Sequence, residues 1–154
     1  MREVANRLER LGCINRDIRL AAAMTGPNCD QLLTLRADFS FESNQLLNQL
    51  TGKLVQTTQA RLASRILDSF VSMQQVISSH QKKWSLLEVE RDPEGYIAGS
   101  RQVQDCVIRF LEEALDEVDE AEMAARALRA RETTDTAPIR LIAAQYPAPI
   151  IKVS

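Results

Sequence analysis

The sequence predicts an all-α fold: an antiparallel bundle of four helices with coiled-coil-like packing and an extended carboxyl-terminal arm. Apolar residues recur at alternating spacings of three and four along most of the 154 residues, which is the period of an amphipathic helix. Aromatic residues make up only 5% of the chain, and Gly52 is the only glycine between Pro27 and Pro93. Successive strands would need a turn about every eight to twelve residues, so a series of hairpins has no room there and helix is favoured over sheet.

The first predicted helix runs from about Arg2 to Met24. One face carries its apolar stripe, which consists of Val4, Leu8, Leu11, Ile14 or Asn15, Ile18, and Ala21 or Ala22. The following Thr25-Gly26-Pro27 ends the helix, because glycine and proline are typical just past a carboxyl-terminal cap.

Two further helices are predicted over residues 28–51 and 54–90, and a single long helix from Asp30 to Glu90 is the alternative. Asn28 is a suitable N-cap, with Gln31 three residues later to complete a capping box. The first stripe contains Leu32, Leu35, Phe39, Ser43, Leu46, Leu50 and Leu54. The second contains Leu62, Ile66, Phe70, Met73, Ile77, Trp84 and Leu87. A break at Thr51-Gly52 separates the two.

The segment from Arg91 to Gly95 contains Asp, Pro and Gly and is predicted to form a turn. Ser100 is then the predicted cap of the last helix. This helix has a heptad-like stripe of Val103, Val107, Phe110, Ala114, Val118, Ala121, Ala125 and Leu128. Its outer face is acidic from Glu112 to Glu122 and basic from Arg126 to Arg131.

The composition changes after Glu132, which predicts a helical domain over residues 1–132 and a separate segment over 133–154. Residues 133–136 read as a linker. Three prolines in the apolar stretch that follows favour an extended course. An apolar tail is more easily explained as a docking segment than as a solvated end. The predicted partner-binding residues are Ile139, Leu141, Ile142, Tyr146, Ile150 and Ile151.

The charge balance and the cysteines limit the functional classes. A formal net charge of −2 argues against nucleic-acid binding. No run of about eighteen apolar residues is present, so no membrane span is predicted. Three cysteines without paired spacing, together with an amino terminus that lacks the apolar core of a signal peptide, predict a cytoplasmic protein. With a single histidine and no CxxC, we expect no metal and no cofactor.

The only histidine lies in the sequence Ser79-His80-Gln81-Lys82-Lys83-Trp84. Its H-x-x-K spacing resembles that of histidine phosphotransfer domains, which are four-helix bundles with a phosphoaccepting histidine on a helix. The resemblance implies that His80 accepts a phosphoryl group and that Lys83 steadies it. The pattern of that family continues with glycine, whereas this chain has Trp84.

Nothing in the sequence assembles a catalytic site. A cysteine or serine nucleophile needs a base within reach, and no nucleophile elbow or phosphate-binding glycine loop is present. We therefore predict a non-catalytic helical interaction protein, such as an adaptor, scaffold or signalling module. Its expected partners are proteins, including a second copy of itself in a homo-oligomer. The alternative is a phosphotransfer module of a two-component relay that uses His80.

Overall fold

The computed structural model describes residues 1–23, 28–52 and 59–145, with the side chains of the last range described as far as Thr133. Within these ranges the chain forms five helices that pack together, and it contains no strand. The helices are α1 (Arg2–Ala23), α2 (Cys29–Thr51), α3 (Ala60–Lys83), α4 (Leu86–Arg91) and α5 (Pro93–Gln145). The predicted all-α class is confirmed.

The first two helices lie close to their predicted positions. In α1 the buried alternative of the stripe is Asn15 rather than Ile14. Asn28 caps α2, since its Oδ1 accepts a hydrogen bond from the Gln31 backbone N–H at 3.1 Å. The predicted stop at residues 25–27 and the predicted start of the third helix at residue 54 both lie outside the described residues.

The third predicted helix is wrong at its carboxyl-terminal end, because α3 ends at Lys83 rather than near residue 90. Ser85 starts the short helix α4 as its N-cap, and its Oγ accepts a hydrogen bond from the Glu88 backbone N–H at 3.3 Å. This side-chain bond satisfies an N–H that the first turn of a helix leaves free. The break takes Leu87 out of the predicted buried stripe, and its side chain is 63% exposed.

The predicted turn around Pro93 is instead the start of α5. Asp92 Oδ1 accepts a hydrogen bond from the Gly95 backbone N–H at 2.9 Å, as an N-cap residue does. Proline suits the first helical position, where its missing N–H costs nothing. Ser100 therefore lies inside the helix and is buried, and its Oγ donates to the Ile97 carbonyl. The prediction that Ser100 caps the last helix is wrong.

Ion pairs join the long helices within the unit Met1–Asp119. Arg7 on α1 pairs with Glu42 on α2 at 2.8 Å, while α3 and α5 are joined by Arg65 and Glu117 at 2.9 Å. At the other end, α1, α2, α4 and α5 share an apolar cluster with the residue that follows α3. Its members are Ala21, Ala22, Leu32, Trp84, Val89 and Tyr96. Most residues of the predicted stripes are buried in the core.

The helix α5 continues beyond this unit into a second one, Glu120–Ser154. The predicted linker and extended course are wrong for residues 133–145, which are helical. Threonine suggested a linker, but the Thr133 hydroxyl donates within its own helix to the carbonyls of Arg129 and Ala130. This bond lets a threonine remain in a helix. Residues 146–154 lie outside the described part.

Candidate functional site

Four side chains from α2, α3, α5 and the residue after α3 form what we call the His80 cluster: Arg36, His80, Trp84 and Tyr96. The Tyr96 ring contacts two other rings of the cluster, with its centroid 5.6 Å from that of His80 and 5.7 Å from that of Trp84. The tryptophan meets the tyrosine edge-on, at 70° between the ring planes. This arrangement is among the favoured geometries for aromatic pairs.

Within this cluster, Arg36 binds the residue that follows α3 and also contacts Tyr96. Its Nη1 donates to the Trp84 carbonyl at 3.2 Å, and its Nη2 lies 3.5 Å from the Tyr96 hydroxyl, to which it donates. The guanidinium carbon is 5.7 Å from the Tyr96 ring centroid. A cation at a helix carboxyl terminus is favourable because the last carbonyls there lack partners. Sequence reasoning missed Arg36, since it lies between two stripe positions and carries no motif.

The predicted phosphoacceptor, His80, is half-buried on α3 between an inner cavity and an outer groove. The cavity has a volume of about 50 Å³ and is lined partly by polar residues, among them Asn15, Ser100 and Gln104. That volume is enough for a water molecule. His80 Nε2 is buried, and within the described residues no hydrogen-bond partner reaches it. This nitrogen is therefore shielded from a second protein, whereas the ring also borders the groove.

Lys83 and Trp84 line the groove beside His80, between α3 and α5. The Lys83 ammonium lies 5.6 Å from the Trp84 ring centroid, in the range of a cation–π contact. Gly99 lets the helices approach here, because a Cβ at this position would lie 3.1 Å from the indole Nε1 of Trp84. The tryptophan that replaces the glycine of the phosphotransfer pattern thus points into the core, where it is 8% exposed.

The pKa of His80 is lowered from its ordinary value of about 6.5, chiefly by burial and further by the positive charges of Arg36 and Lys83. Below that value the unfolded chain binds a proton that the folded imidazole does not. The free energy of unfolding should therefore have its full value above about pH 6.5. It should fall as the pH drops towards the pKa of the folded imidazole.

Denaturant titrations between about pH 5 and about pH 8 measure this loss, and His80→Gln is expected to flatten it. Because His80 is the only histidine, its imidazole resonances report the pKa of the folded state directly. A pKa at or above the ordinary value would contradict the burial argument, as would an unchanged pH slope in the variant.

Cys29 is a second candidate nucleophile with a shifted pKa. Burial, followed by the charge of Glu90, raises the pKa of the Cys29 thiol. The thiol is therefore protonated at neutral pH, which makes it a poor nucleophile. Among the residues that the structure describes, no group of three or more His, Cys, Asp or Glu side chains is placed to hold a metal ion.

The function has to be inferred from the residues of the chain itself, because no known protein indicates it. No protein-family model, curated protein or solved structure matches the chain. Within the described ranges, no helix has both the length and the apolar character needed to cross a bilayer.

The described surface carries several large apolar side chains. They include Leu20 on α1, Leu33 and Phe41 on α2, Val71 on α3, and Met123 and Leu128 on α5. Leu128 belongs to the predicted stripe of α5, whose residue Val118 is buried. These observations do not include the side chains of the predicted arm residues. The side chains of Ile139, Leu141 and Ile142 are not described, and Tyr146, Ile150 and Ile151 lie outside the described residues.

Proposed function

We propose that this protein is a non-catalytic helical interaction protein, an adaptor, scaffold or signalling module, which contacts other protein chains through its carboxyl-terminal segment. One observation carries the proposal. The apolar stripe of α5 is buried at Val118 but reaches solvent at Leu128, which is 62% exposed. An apolar position that continues a heptad-like pattern on an exposed helix is suited to pack against another helix.

The unit Met1–Asp119 serves in this proposal as a rigid support, an antiparallel four-helix bundle with coiled-coil-like packing. The Arg7–Glu42 ion pair joins the start of α1 to the second half of α2, while Ala22 and Leu32 share a cluster at the opposite ends, which supports an antiparallel pair. Burial of the stripes with their spacing of three and four supports the coiled-coil-like packing. In this proposal the arm residues predicted from the sequence extend the docking segment. A cytoplasmic location is part of the proposal and is supported by three free cysteines.

The chemistry of the described residues agrees with a non-catalytic role. The protonated Cys29 thiol and the buried Nε2 of His80 provide no activated nucleophile. Phosphotransfer by His80 with Lys83 stays a prediction, and we do not propose it because transfer from a partner needs an accessible imidazole.

Site-specific photo-crosslinking in the native host cells tests the docking role of the α5 face. A photoreactive residue at position 128 should form adducts with protein, a second copy included. The matched control is position 20 on α1, because Leu20 is 60% exposed and Leu128 is 62% exposed. Adduct formation at position 20 as strong as at position 128, or none at position 128, would contradict the proposal.

The same experiment with a chain that lacks residues 137–154 tests the arm. We expect fewer adducts at position 128, while circular dichroism shows helix content lowered only in proportion to the residues removed. An unchanged adduct yield would show that the arm does not belong to the docking segment. The docking segment would then consist of the exposed face of α5 around position 128.

A further inference from the structure

We propose that residues 120–133 of α5 pair with the same segment of a second copy of the chain, and that the two helices run antiparallel. This inference rests on the proposed function and names the partner. The contact is made by what we call the distal stripe: Ala121, Ala125 and Leu128. Two alanines and one exposed leucine at spacings of four and three let two helices approach closely along this face.

The charges along this part of α5 determine the direction of pairing. Within residues 120–133 the acidic half contains Glu120 and Glu122, and the basic half contains Arg126, Arg129 and Arg131, followed by Glu132. An antiparallel pair places the acidic half of each helix beside the basic half of the other. One such surface is therefore complementary to itself about a two-fold axis.

Glu122 and Arg129 make the specific contact. Each directly follows a stripe residue, so both flank the distal stripe on the same side. When Ala125 of one copy packs against Leu128 of the other, heptad geometry places Glu122 across from Arg129 of the second copy, and symmetry repeats the pair. In its own helix the Glu122 carboxylate is 3.8 Å from Arg126, and its side chain is 39% exposed, which leaves it accessible.

A parallel pair would lose these contacts. It would place Arg129 beside Ala124 of the second copy, since the residues that flank a parallel seam are offset by five positions. The charge pattern therefore favours the antiparallel pair over the parallel one.

The test uses the full chain and two charge reversals, Glu122→Arg and Arg129→Glu. In the dimer of either single variant, two pairs of like charges face each other across the seam. The dissociation constant should therefore rise about tenfold at low salt. A mixture of the two variants restores opposite charges at both pairs. Sedimentation equilibrium should therefore show a mixed dimer about as stable as that of the unaltered chain. The double variant should also recover.

The control is Glu120→Arg, which reverses an exposed charge away from the flanking positions and should leave the dissociation constant within about twofold. Circular dichroism verifies that helix content is kept. An unaltered chain that stays at 17.3 kDa at every concentration would overturn the pairing, and so would variants that do not recover on mixing. Adducts at position 128 with a different protein, from a chain that is a monomer, would leave the proposed function standing and overturn this inference alone.

Discussion

Replacing Trp84 with alanine should lower the free energy of unfolding by about 3–5 kcal/mol, the usual cost of removing a buried aromatic side chain. The indole is 8% exposed and packs edge-on against Tyr96. It also fills the space that Gly99 leaves open. Its removal leaves a cavity where α1, α2, α4 and α5 meet, in a cluster that includes Leu32 and Val89.

Leu87→Ala is the matched control, because the sequence pattern placed both side chains in one buried stripe. In the structure Leu87 is 63% exposed, so its truncation should change stability by no more than about 0.5 kcal/mol. Urea denaturation followed by far-ultraviolet circular dichroism measures both, and it does not depend on the fluorescence of the only tryptophan. Equal losses in the two variants would show that the helix does not break after Lys83.

Replacing Phe70 with alanine should also cost about 3–5 kcal/mol. Phe70 is 3% exposed on α3, and its ring centroid lies 5.8 Å from that of Phe110 on α5, with 59° between the planes. Such a tilted aromatic pair contributes about 0.5–1.5 kcal/mol beyond the burial of its area. The loss should therefore exceed that of a buried leucine in the same helices.

A double-mutant cycle with Phe70→Leu and Phe110→Leu isolates the ring contact from burial. We expect a coupling free energy of about 0.5–1.5 kcal/mol by thermal or urea denaturation. Val71→Ala is the control for α3, since its side chain is 45% exposed and should matter little. A coupling near zero would mean that the two rings do not meet in solution.

Local signals in the sequence predicted much of the helical structure correctly. Asn28 precedes an apolar-periodic run and caps α2, because N-capping depends only on residues two or three positions away. The same kind of signal was present but overlooked at Ser85, where Glu88 follows three residues later. Asp92 and Pro93 form a helix start that reads equally well as a turn, because aspartate and proline are common in both.

The His80 cluster could be predicted only in part. The spacing of His80 and Lys83 is visible in the sequence, but the side-chain environment is not. Arg36 lies 48 positions from Trp84 along the chain, yet it donates to the Trp84 carbonyl. Trp84 turns inward because Gly99, on another helix, leaves space for its ring. Both contacts depend on how three helices pack. No local sequence pattern indicates which residues, distant along the chain, will meet.

The helical class, most of the buried positions and the charge reversal along α5 can be read from the sequence, because helix period and charge order are properties of neighbouring residues. The packing of the helices was needed to show that Asn15 rather than Ile14 is buried, that Leu87 is exposed, and that His80 is half-buried with a lowered pKa. Burial depends on which helices meet, and a pKa depends on burial and on charges distant in sequence. The exposed Leu128 likewise became a candidate contact only when its stripe was seen to leave the core.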